Sequence, residues 1–411
     1  LRAMLRLLSL YREAFSHLQR NIWILSVAMF INRSGSMVLL FTSLYMTKDL
    51  HFSIGEAGFI MSFYGMGSVL GSYIGGWLTD RMNYFHIMLF SLITCGFILL
   101  LMLVATSVWA IAAIIFAYSL TGDLFRPANS AAIAEYSSPE NRTRSVSLVR
   151  LAVNLGFSIG PAIGGFVALY LGYKWLFVID ALTSILAALM LYFYLPRKRS
   201  HVRHPKNAVL NDRTTSAYRD GKYLLFILLV ALYGTGFFQL FASMPQYFST
   251  VCNYNEDTIG LLLALNGLLV VLIEMPLISY LEKSRKIFSF IVAGTLFLSI
   301  AFLVLFFGKG MMAFAILYTL IITMSEVFAM PFMMNFALSR PLKERQGQYS
   351  ALYSMAYGIS TIIAPSIGLG IADRFGFNSL FVFLISLSLL VAAGFAFLGK
   401  NEKAAKKIVS T

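Results

Sequence analysis

Gly156-Phe-Ser-Ile-Gly160-Pro161-Ala-Ile-Gly164-Gly165 interrupts a largely apolar stretch running from Ser145 to Leu171. In a water-exposed helix interior, glycine costs roughly 1 kcal/mol and proline roughly 3 kcal/mol. Both are tolerated in membrane helices, where neighbours re-satisfy the backbone. The run therefore predicts a packing or hinge surface inside a bilayer.

Composition extends this reading to the whole chain. Of 411 residues, 59% are hydrophobic and 12% charged, half the roughly 25% of soluble domains. Mean hydropathy is +0.77. Twelve apolar spans follow: 21–47, 53–79, 85–105, 108–134, 145–171, 175–195, 223–248, 258–281, 287–307, 311–338, 349–372 and 379–398. Each reaches the roughly 20 residues a bilayer core requires. The two cysteines, Cys95 and Cys252, make neither a disulfide framework nor a metal site.

The net charge of +14 is a topology signal. Lysine and arginine gather before span 1, after spans 2, 4, 8 and 10, between spans 6 and 7, and at the end of the chain. Lys48, Lys174, Lys309 and Arg374 stand on the other side. The positive-inside rule then predicts a multi-pass membrane protein with both termini and the central loop cytoplasmic, and the cytoplasmic (inner) membrane of a bacterium is its expected location. Nucleic acid is not an expected partner. Residues 1–20 are basic and amphipathic, without the apolar core and cleavage site of a secretory signal, and are expected to lie on the membrane surface. Because the chain opens on Leu1 with Met4 close behind, its true start is left open.

The polar, basic segment 198–222 divides the chain into halves of six spans, 21–197 and 223–398, followed by a tail, 399–411. The halves echo one another. Asp123, Pro127, Arg142, Pro161 and Gly164 recur in order as Glu326, Pro331, Arg345, Pro365 and Gly368, offset by 203 or 204 residues. Gly58, Gly65 and Asp80 recur as Gly260, Gly267 and Glu282, offset by 202. Such duplication in a multi-span protein predicts two pseudo-symmetric halves that rock about a mid-membrane substrate site. A duplicated scaffold without transport is the plainer alternative.

With these features the chain resembles the major facilitator superfamily. Gly76-Trp-Leu78-Thr-Asp80-Arg81 resembles the first half of the family's loop signature, whereas Asn83, Tyr84 and Phe85 replace its later glycine and basic residues. The run from Gly156 to Gly165 resembles the span-5 signature of the family's proton-driven exporters. Their span-4 arginine is absent: Tyr118 stands four residues before Gly122, with Arg126 one turn beyond Gly122. The resemblance implies an all-α fold of twelve transmembrane helices in two six-helix halves, close to the drug:proton antiporter branch. Spans 1, 4, 7 and 10 would then surround the cavity.

Ionisable groups inside a bilayer cost roughly 2.5–3.5 kcal/mol each even on the lenient scale, so they mark functional candidates. Arg33, Asp123, Arg126, Arg150, Glu274 and Glu326 read as intramembrane charges. Glu326, Asp123 and Arg33 are the proton-coupling candidates, because a carboxyl in an apolar cavity can take up and release a proton near neutrality. Asp123 and Arg126, three residues apart on one helix face, can instead neutralise each other. Arg33 would reach Asp123 or an anionic part of the substrate. Arg33, Arg126 and Glu326, with Asn32, Gln239, Asn266 and Asn335 and with Tyr233, Phe237 and Phe241 at helical spacing, make up the expected cavity; core packing is the alternative for each aromatic.

The remaining candidates concern gating. Asp80 with Arg81 after Gly76, and Arg150 with Glu274, are expected latches. Gly156, Gly160, Pro161, Gly164, Gly165 and Pro365 are the expected hinge and crossing surface. No nucleotide-binding glycine loop, nucleophile elbow or metal cluster appears, so neither an enzyme nor ATP-driven transport is expected. No cofactor is expected beyond a proton gradient. Together these features predict a monomeric proton-coupled exporter of amphipathic small molecules. A proton-coupled importer of peptides or similar zwitterions is the alternative, and a receptor or scaffold would need an appended domain that the sequence does not display.

Overall fold

The computed structural model describes residues 18–35, 37–79, 81–138, 142–197, 217–281, 287–308, 310–340 and 346–409, and their regular structure is helical. Eleven helical stretches are long and apolar enough to cross a membrane. The last, Ala351–Lys400, covers 50 residues. Within it Gly376 adopts φ 80°, ψ 165°, a left-handed backbone that glycine enters without steric cost. The helices before and after it are spans 11 and 12. The architecture is thus all-α, with twelve transmembrane helices, and the final helix continues to Val409, beyond the expected end of span 12. The segment 198–216 and residues 1–17 lie outside the described residues.

Three of the four spans assigned to the cavity are interrupted. Span 1 divides into Arg20–Gly35 and Val38–Lys48. Span 4 divides into Val108–Asp123 and Phe125–Tyr136. Pro127 explains the second break: it has no N–H to offer the Asp123 carbonyl four residues earlier, and its ring crowds that carbonyl. Span 7 divides into Gly221–Phe237, Gln239–Ala242 and Met244–Thr250. Pro245 stands at the start of the last piece, where a missing N–H has no consequence. In span 10, Met312–Ser339, Pro331 is accommodated within one helix.

Packing follows the repeat. In the first half span 5 packs on span 1, span 2 on span 4 and span 3 on span 6; in the second, span 9 packs on spans 10 and 12. Among the described residues the most extensive crossings between the halves are span 2 with span 11 and span 5 with span 8, and span 1 also meets span 7. The first two are related by the duplication and exchange partners. Gly58 abuts the Pro365 carbonyl, to which an added Cβ would come within 2.6 Å, and Gly260 abuts the Pro161 carbonyl. Each half's glycine therefore receives the other half's proline turn.

At the end of the bundle that carries the chain termini, Asp220 fastens three spans of the second half. Its carboxylate accepts from Arg340 Nε at 2.7 Å and Nη2 at 3.0 Å, from Tyr349 hydroxyl at 3.1 Å, and from the Tyr223 amide at 3.1 Å. Burial disfavours the Asp220 carboxylate, but the Arg340 guanidinium and these donors outweigh it and hold the group below its ordinary range.

Candidate functional site

The glycine-proline run serves two neighbours. Gly156, Gly160 and Gly164, spaced by four, share one face of span 5 and meet span 1. Added Cβ atoms would come 2.7 Å from Arg33 Cβ, 3.2 Å from the Ser34 carbonyl and 2.7 Å from Met37 Cβ. Gly165, one residue on, turns to the other half and lies against the Glu256 carbonyl, while Gly267 packs on Ser158. The run is thus at once an internal joint of the first half and a seam between halves.

The seam continues at the end opposite the chain termini. Lys48 Nζ lies 2.6 Å from Glu256 Oε1, which also accepts from the Tyr173 hydroxyl at 2.5 Å, and Gln246 Nε2 donates to Thr47 at 2.9 Å. The Lys48 side chain is 40% exposed and that of Glu256 9%, so this latch is partly screened by water and salt. Lys48→Met is expected to raise modification of a cysteine placed at Gln246 several-fold, most clearly at low ionic strength. Unchanged labelling would show that the ion pair does not hold this end closed.

In the first half, the helix break in span 4 leaves Asp123 at a helix end, 5% exposed. One of its oxygens accepts from Arg126 Nε at 2.6 Å, and the other accepts from Ser68 hydroxyl. Arg126 itself is 59% exposed. Asp123 and Arg126 therefore neutralise each other, and Arg33 makes no contact ion pair with Asp123 among the described residues. Instead the Arg33 guanidinium carbon sits 5.4 Å from the Phe157 ring centroid, and its Nε is buried without a hydrogen-bond partner. Asn32 donates to Ser184 Oγ at 3.1 Å, tying span 1 to span 6.

The count of intramembrane charges also needs correction. Asp180 of span 6 is fully buried without a contact ion pair among the described residues, beside the Tyr118 and Ser184 hydroxyls. A lone aspartate between Ile179 and Ala181 was a visible signal; the strongly apolar character of span 6 hid it.

In the second half, Glu326 is half-buried on span 10. Asn266 of span 8 donates to it at 3.3 Å and to Thr323 at 3.0 Å. Tyr233 of span 7 bonds with the adjacent Ser325 hydroxyl at 3.0 Å, and Glu326 acts electrostatically on Tyr233 and on Tyr357 of span 11. Four spans of this half converge on the carboxyl. Sequence reading found Glu326, Asn266 and Tyr233 but not Tyr357, whose approach depends on how span 11 packs.

Several expected cavity residues are packed between helices. Gln239 is fully buried, donating to the Ala364 carbonyl at 3.0 Å and accepting from Ser243 at 2.5 Å, beneath Gly368. It is a joint between spans 7 and 11. Tyr233 and Phe237 stack at 6.2 Å and are almost fully buried; Phe241 and Asn335 are half-buried. Gly76 has no heavy atom within 4 Å of an added Cβ, whereas Gly75 packs on Leu124 and Pro127. The close approach of span 2 to span 4 at this depth is made by Gly75. Arg81 lies 4.0 Å above the Trp77 ring, and Asp80 is outside the described residues. Arg150 is exposed; the side chain of Glu274, its expected partner, also lies outside them.

Residues 22–365 match the profile described as the Major Facilitator Superfamily. The chain belongs to this family. It is 26% identical, over 90% of its own length and 92% of the other's, to a Na(+), Li(+), K(+)/H(+) antiporter of Planococcus maritimus. It is 22% identical, over 79% and 83%, to the quinolone resistance protein NorA of Staphylococcus aureus. A POT family transporter solved with 5-aminolevulinic acid shares the fold at TM-score 0.81, with 14% identity over 94% of this chain and 97% of the other. The nucleoside transporter NupG, as a mutant, gives TM-score 0.76 with 13% identity over 92% and 98%. This superfamily member is a multi-pass membrane transporter, not an enzyme.

Proposed function

We propose that this transporter is a proton-coupled antiporter that exports amphipathic small molecules by alternating access. Glu326 carries the reading: a half-buried carboxyl held by Asn266 beside two tyrosines, at the convergence of spans 7, 8, 10 and 11, binds protons in competition with substrate. The duplicated glycine-proline crossings provide the surface on which the halves rock. The Lys48–Glu256 latch closes one end, so the other must admit substrate. With the termini in the cytoplasm of a bacterium, as the basic loops predict, the closed end faces outward. Similarity to a quinolone resistance protein supports an amphipathic substrate, and similarity to a Na(+), Li(+), K(+)/H(+) antiporter supports antiport.

The name of the 26% identical relative favours a second reading, exchange of monovalent cations for protons. Likeness to POT family transporters is a likeness of fold, and proton-coupled uptake of peptides is the reading to be tested against export. Purified protein in oriented liposomes under an imposed proton gradient should be challenged in parallel with ethidium, a dipeptide and sodium. Movement of ethidium opposite to protons is expected. Dipeptide uptake down the proton gradient would overturn export, and sodium exchange without ethidium movement would favour the second reading.

A further inference from the structure

Asp180 occupies a position unlike that of any other acid described above. Asp123 has Arg126 and Ser68, Glu256 has Lys48 and Tyr173, Asp220 has Arg340 and Tyr349, and Glu326 has Asn266. Asp180 is 0% exposed and has no contact ion pair among the described residues; its oxygens make no hydrogen bond of ordinary geometry, although the Tyr118 and Ser184 hydroxyls stand beside it as donors. An ionised carboxylate shut off from water, without a contact ion pair and with only two neutral hydroxyls beside it, is disfavoured. The group is expensive to keep unless it has work to do.

Its surroundings supply a counter-charge at one remove. Of the elements packed on span 6, span 1 brings Arg33 and span 3 Cys95, and no charge on span 5 acts on Asp180; Tyr118 of span 4 and Ser184 of span 6 itself offer it hydroxyls. Arg33 is the cation that acts on it, and its Nε is buried without a hydrogen-bond partner among the described residues. The two groups form no contact ion pair among the described residues, and the Arg33 guanidinium lies over Phe157. Both sit at tight joints. Gly35 presses on Thr183, three residues beyond Asp180, and Arg33 Cβ lies where a side chain on Gly156 would collide.

We infer that Asp180 is a second proton-binding carboxyl of the transport cycle, protonated in this conformation, with Arg33 as the counter-charge that engages it when the proton leaves. The inference rests on the proton-coupled reading above. On release, the Asp180 O–H bond breaks, the proton passes to water, and the carboxylate left behind pairs with the Arg33 guanidinium. That guanidinium must leave Phe157 to do so. Because the Arg33 stem is packed against Gly156, the movement bears directly on the span 1–span 5 joint whose far end, Gly165, is the seam between halves. A proton bound in span 6 is thereby linked to the gate.

An infrared pH titration of the full-length protein in liposomes tests this without a substrate. In a Glu326→Gln background, a protonated-carboxyl band should disappear as pH rises, and the band should be missing when Asp180→Asn is added. Identical titrations of the two proteins would overturn the inference. Asn imitates the neutral acid, so Asp180→Asn alone should keep the wild-type melting temperature while proton-driven ethidium movement falls at least tenfold. Failure to fold, or a clearly lower melting temperature, would show a structural carboxylate and would also overturn it. If wild-type protein moves none of ethidium, dipeptide and sodium but the Asp180 band titrates, the proton site stands and proton-coupled antiport is the reading that has failed.

Discussion

Replacing Glu326 with glutamine is expected to abolish proton-driven transport while leaving the fold and energy-independent exchange intact. Glutamine matches the carboxyl in shape, and its amide oxygen can still accept from Asn266. It cannot lose or gain a proton between pH 5 and 9. Acid–base groups in such roles contribute about 10²–10⁴-fold, so accumulation of ethidium against its gradient should fall at least about 100-fold. Exchange of labelled for unlabelled ethidium at equal concentration, which needs no proton, should persist. Normal accumulation across the pH range would remove Glu326 from the coupling mechanism. The Asn266→Ala change is a useful companion, since it leaves the acid but takes away its donor.

A valine at Gly165 should spring the seam open. An added Cβ at this position collides with the Glu256 carbonyl and lies 3.0 Å from Asp257 Cα; backbone has no rotamer by which to yield. Overpacking of this kind costs roughly 1–3 kcal/mol, and here it is charged to the closed-end conformation alone. The equilibrium should shift by roughly 5- to 150-fold toward opening of the end that holds Lys48, since about 1.4 kcal/mol is a factor of ten. In a Cys95→Ser, Cys252→Ser background, a cysteine at Gln246, buried in the closed seam, should label with an impermeant maleimide much faster when Gly165→Val is present. Transport should fall in parallel. Gly76→Ala, which meets open space, should change neither quantity. Equal labelling with and without Gly165→Val would mean that span 5 and span 8 do not form the gate at that end.

The two variants separate coupling from gating. Glu326→Gln leaves both ends free to open but removes the proton, whereas Gly165→Val leaves the acid and biases the conformations. Asp180, if it acts through Arg33 and Gly156, lies between the two. Its effect should therefore be seen both in the carboxyl titration and in movement of the halves.

The spans, the division into halves and the family were legible in the sequence because each depends on local or repeated patterns. Hydropathy over about twenty residues decides whether a segment suits a bilayer, and the offsets of 202 to 204 residues need only counting. The same logic exposed Glu326 and Asp123 as charges in apolar surroundings. Spacing alone also suggested that Asp123 and Arg126 share a face, and they do bond.

Partnership was another matter. Four-residue spacing places Gly156, Gly160 and Gly164 on one face, but only packing shows that this face meets span 1 while Gly165 meets Glu256 in the other half. Gln239 has the polarity of a cavity residue and lies at a span 7–span 11 joint; Gly76, expected beside a gate latch, faces open space. Arg33 could have met Asp123, yet Arg126 already holds it, and the acid on which Arg33 acts is 147 positions further along the chain. Hydropathy and repetition are properties of the chain and survive its unfolding. Which charges pair, which glycines touch and which acid is left without an ion pair depend on helices distant in sequence being brought together, and those were decided by the tertiary structure.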